Sequence, residues 1–245
     1  MNGWPESYGR FVLPSVSSTL DEAASMAREM PAPFWLLAHA QTAARGRRGR
    51  AWKMPAGNFA ATLVLRPLGT PAQAAQRSFV MSLALYQAFV SVTGQTDAFA
   101  LKWPNDVLLH GGKVAGILLE GGRDDLLLIG VGINLAEAPT TAELEDGAVR
   151  PVSINEALSV SVTPERFLYV LAMHYAELEA QFETYGFAPI RTGWLAHAAR
   201  LGEVVTARTG TDTFEGVFED VDDEGQLVLR GPRGRRKIAA ADVYF

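Results

Sequence analysis

The sequence predicts an α+β chain: a mixed or antiparallel sheet flanked by helices over residues 1–200, then a small β-barrel over 201–245. Two observations carry this. Helical and extended stretches come in blocks rather than in strict alternation, which argues against a doubly wound parallel sheet. From Leu201 the texture changes to short alternating strands separated by turns rich in Gly, Asp and Pro. With 245 residues and 48% hydrophobic content, the chain can bury one large core, and the C-terminal piece is small enough to need docking onto it.

The elements follow in order. Ser18-Thr19-Leu20-Asp21-Glu22 reads as a helix start, a hydroxyl cap followed by early carboxylates, with Leu20, Ala23, Ala24 and Ala27 at helical spacing. Phe34–Ala40 is an apolar run of strand length, and Phe59, Ala61, Leu63 and Leu65 alternate as in a strand. Phe79, Leu83, Tyr86 and Val90 predict one long helix over 72–93. Four apolar stretches at 98–103, 107–109, 114–119 and 126–131 predict strands, with a tight hairpin turn at His110-Gly111-Gly112-Lys113. Thr163-Pro164-Glu165 opens a helix whose stripe is Phe167, Leu171, His174, Leu178 and Phe182. A shorter helix over 189–199 would bury Ile190, Trp194 and Leu195. In the barrel, Val204, Phe214, Val217, Leu227, Leu229 and Ile238 are the expected interior positions, with turns at 222–225 and 231–234.

Composition narrows the function classes. A net charge of -5 argues against a dedicated nucleic-acid binder, since phosphate neutralisation dominates such affinity. The absence of cysteine removes disulfides, thiolate metal sites and a cysteine nucleophile, and fits a reducing compartment. No signal-peptide pattern and no membrane-length apolar run are visible, so the expectation is a cytoplasmic protein without nucleic-acid or membrane partners. The four histidines lack metal-ligand spacing, and neither a Walker phosphate loop nor a Gly-x-Ser-x-Gly elbow occurs.

Three features could carry chemistry. Gln41-Thr42-Ala43-Ala44-Arg45-Gly46-Arg47-Arg48-Gly49-Arg50-Ala51-Trp52 sets four arginines within six residues, spaced by glycines that let backbone approach a ligand. Guanidinium forks match carboxylate and phosphate, and self-repulsion should keep the loop mobile until an anion arrives. A solvated basic loop is the plainer reading of the same composition. Lys102-Trp103-Pro104-Asn105-Asp106 ends an apolar run, so Lys102 is either a strand-end residue meeting solvent or a cation held for an anion. Lys113-Val114-Ala115-Gly116 and Gly130-Val131-Gly132-Ile133-Asn134 put small residues inside buried strands, which tight strand packing or a closely approaching ligand would each explain. A second basic run, Arg230 to Lys237, reads as a solvated turn.

In this order and spacing, Arg-Gly-Arg-Arg-Gly-Arg followed by Lys-Trp-Pro-Asn-Asp resembles the bacterial biotin–protein ligases, of the short kind without an N-terminal DNA-binding domain. The likeness runs from Ser17 to Phe245. It implies a class II synthetase-like catalytic domain with an SH3-like C-terminal barrel. It also implies an activity: biotin and MgATP form biotinyl-5′-AMP, and the biotinyl group passes to one lysine of a carboxyl carrier domain of the acetyl-CoA carboxylase type. Carried over by position, Lys102 and Arg47 are catalytic. Ser18, Thr19, Leu20, Gln41, Arg45, Gly46, Arg47, Lys102, Gly116, Gly130 and Gly132 bind biotin. Arg45, Arg47, Arg48, Arg50, Trp52, Asn105, Lys113 and Asn134 bind ATP or adenylate, with no metal held by protein ligands alone and with Asn105 near the phosphates or Mg²⁺. Ala44 stands where the family often has glycine, which leaves every charged member in place. No repressor role is expected, and a homodimer is compatible with the likeness. Lipoate or octanoate ligases and transferases are the nearest rival, but they lack this pair of motifs.

Overall fold

In the computed structural model, residues 3–122, 124–139 and 149–244 are described. The apolar runs pair into one seven-stranded sheet of β1 (Gly9–Leu13), β2 (Phe34–Ala38), β3 (Phe59–Leu65), β4 (Phe99–Lys102), β5 (Asp106–Leu109), β6 (Gly112–Gly121) and β7 (Leu127–Ile133). The order is β1-β2-β3-β7-β6-β5-β4; β1 and β2 are parallel and the other neighbours antiparallel, so the sheet is mixed as predicted. The β5–β6 hairpin turns at His110 and Gly111, whose φ of 49° and 79° make a left-handed pair that matches strand twist.

β2 and β3 are buried along their whole length because helices cover both faces. On one face, α1 (Thr19–Met26) sets Leu20 and Ala23 against Phe34, Leu36, Val64 and Leu128. On the other, α3 (Arg77–Thr93) and α5 (Pro164–Tyr185) pack Phe79, Phe89, Phe167 and Tyr175 onto Trp35, Leu37, Leu63 and Ile129. The single helix expected over 72–93 is two: α2 (Pro71–Ala75), begun by a Thr70/Gln73 capping box, and α3, with Gln76 at the junction donating its amide to the Asp223 carbonyl at 2.8 Å. In α5, Phe167, Leu171, Ala172 and Tyr175 are fully buried, whereas His174, expected on the apolar stripe, is half-buried and bonded to Ser91 at 2.9 Å.

β1 and the short α4 (Ile154–Leu158) had no periodic signal strong enough to be read. α6 runs Phe187–Leu195 rather than 189–199. Its last expected residues instead flank β4, where Leu101 N–H donates to His197 and Ala199 N–H to Leu101, both at 2.8 Å.

The C-terminal sheet comprises β8 (Val204–Arg208), β9 (Thr213–Val221), β10 (Leu227–Gly231), β11 (Gly234–Ile238) and β12 (Asp242–Tyr244), antiparallel in the order β11-β10-β9-β8-β12. Leu227, Leu229 and Ile238 are buried as expected, but Val204 is 59% exposed and Val217 and Phe214 are half-buried. The inward phase is Val205, Ala207 and Phe218. Alternation cannot choose between Val204 and Val205, and docking does. That docking uses Trp103 Nε1 on the Gly225 carbonyl (3.0 Å) and ion pairs from Arg191 to Asp220 and Asp223.

Candidate active site

A cavity of about 530 Å³ opens beside the N-terminus of α1. Its wall takes residues from distant parts of the chain: Ser18 just before α1, Thr19 and Leu20 of α1, the arginine loop, the end of β4, the glycine-bearing strands β6 and β7, and Asp242, Val243 and Tyr244 of β12. It therefore brings together Ser18, Thr19, Leu20, Gln41, Arg45, Gly46, Arg47, Arg50, Trp52, Lys102, Asn105, Lys113, Gly116, Gly130, Gly132 and Asn134. Arg48 alone among the expected residues is outside the lining, turned instead to Asp242.

At the α1 end, Ser18 and Thr19 are buried. The Ser18 hydroxyl does not cap the helix backbone as expected. Gln41 takes that place: its Oε1 accepts from the Thr19 N–H at 2.7 Å and from the Thr19 hydroxyl at 3.1 Å. A side-chain amide 22 residues away thus satisfies an orphan helix donor and ties the Gln41 and Thr19 side chains together at one end of the cavity.

The arginine loop is closed at its base by bridge pairing of Arg45 with Ala51, and Trp52 N–H donates to the Ala44 carbonyl at 3.0 Å. Its tip is a single 3₁₀ turn, Arg47–Gly49, with left-handed φ at Arg48 (57°) and Gly49 (74°). The repulsion expected among its arginines is met by carboxylates of the chain itself. Arg45 is gripped from two sides, at 2.8 Å by both oxygens of Asp21 and at 3.1 and 3.0 Å by those of Glu120. The guanidinium holds the Asp21 carboxyl below its ordinary range, and the Arg45 pKa is raised in turn by the hydrogen bonds it donates to Asp21 and then to Glu120. Arg47 bonds the Asn105 Oδ1 at 3.3 Å and the Ala241 carbonyl at 3.4 Å, while Arg48 and Arg50 meet Asp242 at 2.7 and 3.1 Å.

Lys102 is 8% exposed, and burial pushes its ammonium below the ordinary lysine range, with Lys113 and Arg47 acting the same way and Asp106 and Asp242 opposing. An anion entering beside it favours the charged form. Lys113, from β6, is paired with Asp106 at 2.7 Å and lies 5.6 Å from the Trp52 ring centre. Asn105 is anchored between them: its Nδ2 donates to the Ile117 carbonyl at 2.5 Å while Oδ1 receives Arg47. Asn134 is buried, with its amide directed to the carbonyls of Lys113 and Val152.

The glycines have separate reasons. A Cβ on Gly132 would stand 2.6 Å from the Trp52 ring, and one on Gly116 3.2 Å from Lys113 and 3.4 Å from Trp52. One on Gly130 would meet Leu20 at 3.1 Å. The first two clear the floor for the indole and the lysine, and the third seats α1 on the sheet. Lys53, Ile117, Leu118, Asp242, Val243 and Tyr244 line the cavity without having been read from the sequence. Lys53, next to Trp52, could have been included with the loop, whereas β12 lies almost 200 residues away and carries no local signal.

The arrangement is suited to two anions. Guanidinium and ammonium groups stand around an apolar, glycine-floored slot, with neutral hydrogen-bonding side chains at its α1 end. Residues 11–134 match the model of the biotin/lipoate A/B protein ligase family, and residues 201–245 that of the biotin protein ligase C-terminal domain. The chain is 53% identical over 238 residues to the biotin–[acetyl-CoA-carboxylase] ligase of Paracoccus denitrificans, covering 96% of this chain and 99% of that one. It is 32% identical over 240 residues to the bifunctional ligase/repressor BirA of Bacillus subtilis, covering 95% of this chain and 71% of that protein. The biotin protein ligase from Aquifex aeolicus in complex with biotin and ATP superposes with a TM-score of 0.82 at 25% identity, covering 96% and 97% of the two chains. On its matched segments and its near full-length relative, the chain belongs to the biotin/lipoate A/B protein ligase family.

Proposed function

We propose that the chain is an ATP-dependent biotin protein ligase acting on a carboxyl carrier domain of an acetyl-CoA carboxylase. The observation that carries this is the single cavity uniting the arginine loop, Lys102 and Lys113 with the Gly116/Gly132 floor and the Ser18–Thr19–Gln41 cluster. In the first step a biotin carboxylate oxygen attacks the α-phosphorus of ATP, forming the acyl-phosphate anhydride and expelling pyrophosphate. In the second, the neutral amine of a carrier lysine attacks the acyl carbon and AMP leaves with the bonding pair.

Ser18, Thr19 and the Gln41 amide are placed for the ureido ring, and Leu20 and Gly130 for the apolar body of biotin. Lys102 and Arg47 screen the repulsion between carboxylate and phosphate, the dominant barrier to bringing two anions together. Arg50, Lys113 and Asn105 face the phosphates, and Trp52 with Asn134 the adenylate. Arg45, held by two carboxylates, fixes the loop base, and Gly46 next to it lets the backbone approach. Mg²⁺ would arrive on the triphosphate. The oxygen donors of Asn105 and Asp106 line the same cavity, and among the described residues no three-ligand His/Cys/Asp/Glu cluster stands ready for a metal of its own.

The reading divides the chain into a catalytic domain at 1–200 and a C-terminal domain at 201–245, supported by the family match to the latter. It places the protein in the cytoplasm and assigns it no DNA-binding role; among the described residues no helix is long and apolar enough to cross a membrane. Sedimentation of the purified protein decides between monomer and homodimer. The direct test supplies the protein with biotin, MgATP and a carrier domain and maps the product by mass spectrometry. One biotinylated lysine is expected; labelling by lipoate and not by biotin would overturn the proposal.

A further inference from the structure

The three tip arginines share one carboxylate from the far end of the chain. Asp242 opens β12, its side chain is 15% exposed, and its oxygens stand 2.7, 3.1 and 3.6 Å from Arg48, Arg50 and Arg47. The backbone beside it also accepts from Arg47 through the Ala241 carbonyl. Asp242 itself lines the cavity. Arg47 and Arg50 line the same cavity as Asp242, so an anion entering it meets their guanidinium groups. An arriving phosphate and the Asp242 carboxylate then compete for the same donors and repel each other.

We infer that Asp242 is a positioning residue that acts as a built-in counter-ion. It orders the arginine loop while the site holds no nucleotide and yields the arginines to the phosphates when ATP enters. The inference rests on the ligase reading for the identity of the anion, but the ordering of the loop does not. The cost of the arrangement is nucleotide affinity, since part of the ATP binding energy goes into displacing an intramolecular partner.

The test compares Asp242→Asn and Asp242→Glu with the unmodified protein. In the ligand-free Asn variant, amide hydrogen exchange of residues 46–50 should quicken by about tenfold, the loss of a charge-assisted contact of roughly 1.4 kcal/mol. Its KM for ATP should fall by about fivefold, as expected for removal of a competing partly exposed ion pair. The Glu variant, which keeps the carboxylate, should stay near the unmodified protein in both. A merely structural Asp242 would loosen the loop and raise the KM; that result, or unchanged exchange in the Asn variant, overturns the inference. Absence of adenylate formation by the unmodified protein sinks the ligase reading instead, and the exchange comparison still decides whether Asp242 orders the loop.

Discussion

Lys102 leaves β4 as a cation in a site that disfavours it, since burial lowers its pKa and Lys113 and Arg47 push the same way. Its charge is therefore present at low pH and is lost, as pH rises, before an ordinary lysine near ~10.4 would lose its own. Adenylate formation should accordingly decline on the alkaline side below that value, and Lys102→Arg should move the limb upward if it folds; an alkaline limb unchanged in that variant would remove Lys102 from the titration. Lys102→Ala should cut pyrophosphate release by roughly 10²–10³, the scale of removing one preorganised charge-stabilising donor. Arg47 reaches the cavity from the loop tip, and Arg47→Ala should speed escape of adenylate by about tenfold or more, a charge-assisted hydrogen bond being worth ~1.5–3 kcal/mol. Stopped-flow release in the absence of carrier reads this, and an unchanged off-rate counts against a loop that retains the intermediate. At this scale the motifs were legible because chemistry demands particular side chains. Their partners Asp21, Glu120 and Asp242 were not, because ion pairing across 24, 75 and about 194 positions leaves no spacing to recognise.

Strands β6 and β7 show how one residue type serves two ends within an element. Gly130 and Gly132 lie two apart on β7 and so face the same side of the sheet, yet one supports Leu20 and the other Trp52. Gly130→Ala should cost about 1–3 kcal/mol of stability through overpacking against α1, with little change in ATP affinity. Gly132→Ala should displace the Trp52 ring and weaken ATP binding by about tenfold, leaving the thermal midpoint within a few degrees. Thermal melts and KM for ATP separate the two, and identical profiles would refute the division of roles. The sequence showed that small residues sit inside these strands; which neighbour each one admits depends on how α1 and the arginine loop are laid over the sheet. Helix periodicity located α1, α3 and α5 for the same reason that it missed α4 and the α2–α3 junction: five residues are too few to show a 3.6-residue repeat.

Across the whole molecule, the two sheets share one continuous core in which Val205, Phe218 and Leu229 join Trp103, Phe79 and Trp194. Trp103 ties the end of β4 to the β9–β10 turn at Gly225, and Asp242 ties the arginine loop to β12. Heating should therefore give one cooperative transition by calorimetry; two well-separated transitions would show that the sheets are independent. Trp103→Phe, which removes the bond to Gly225, should lower the midpoint by roughly 2–4 °C, the shift that ~1 kcal/mol produces in a chain of this size.

By itself, the sequence determined the α+β class, the positions of the long helices and the two motifs whose arginines and lysine mark an anion site. These are local properties, set by periodicity and by side-chain chemistry. The tertiary structure alone decided the inward phase of the barrel strands, the capping of α1 by Gln41, and the counter-ions that hold each arginine. Each of these depends on contacts between distant segments, and a chain read one window at a time contains no distances.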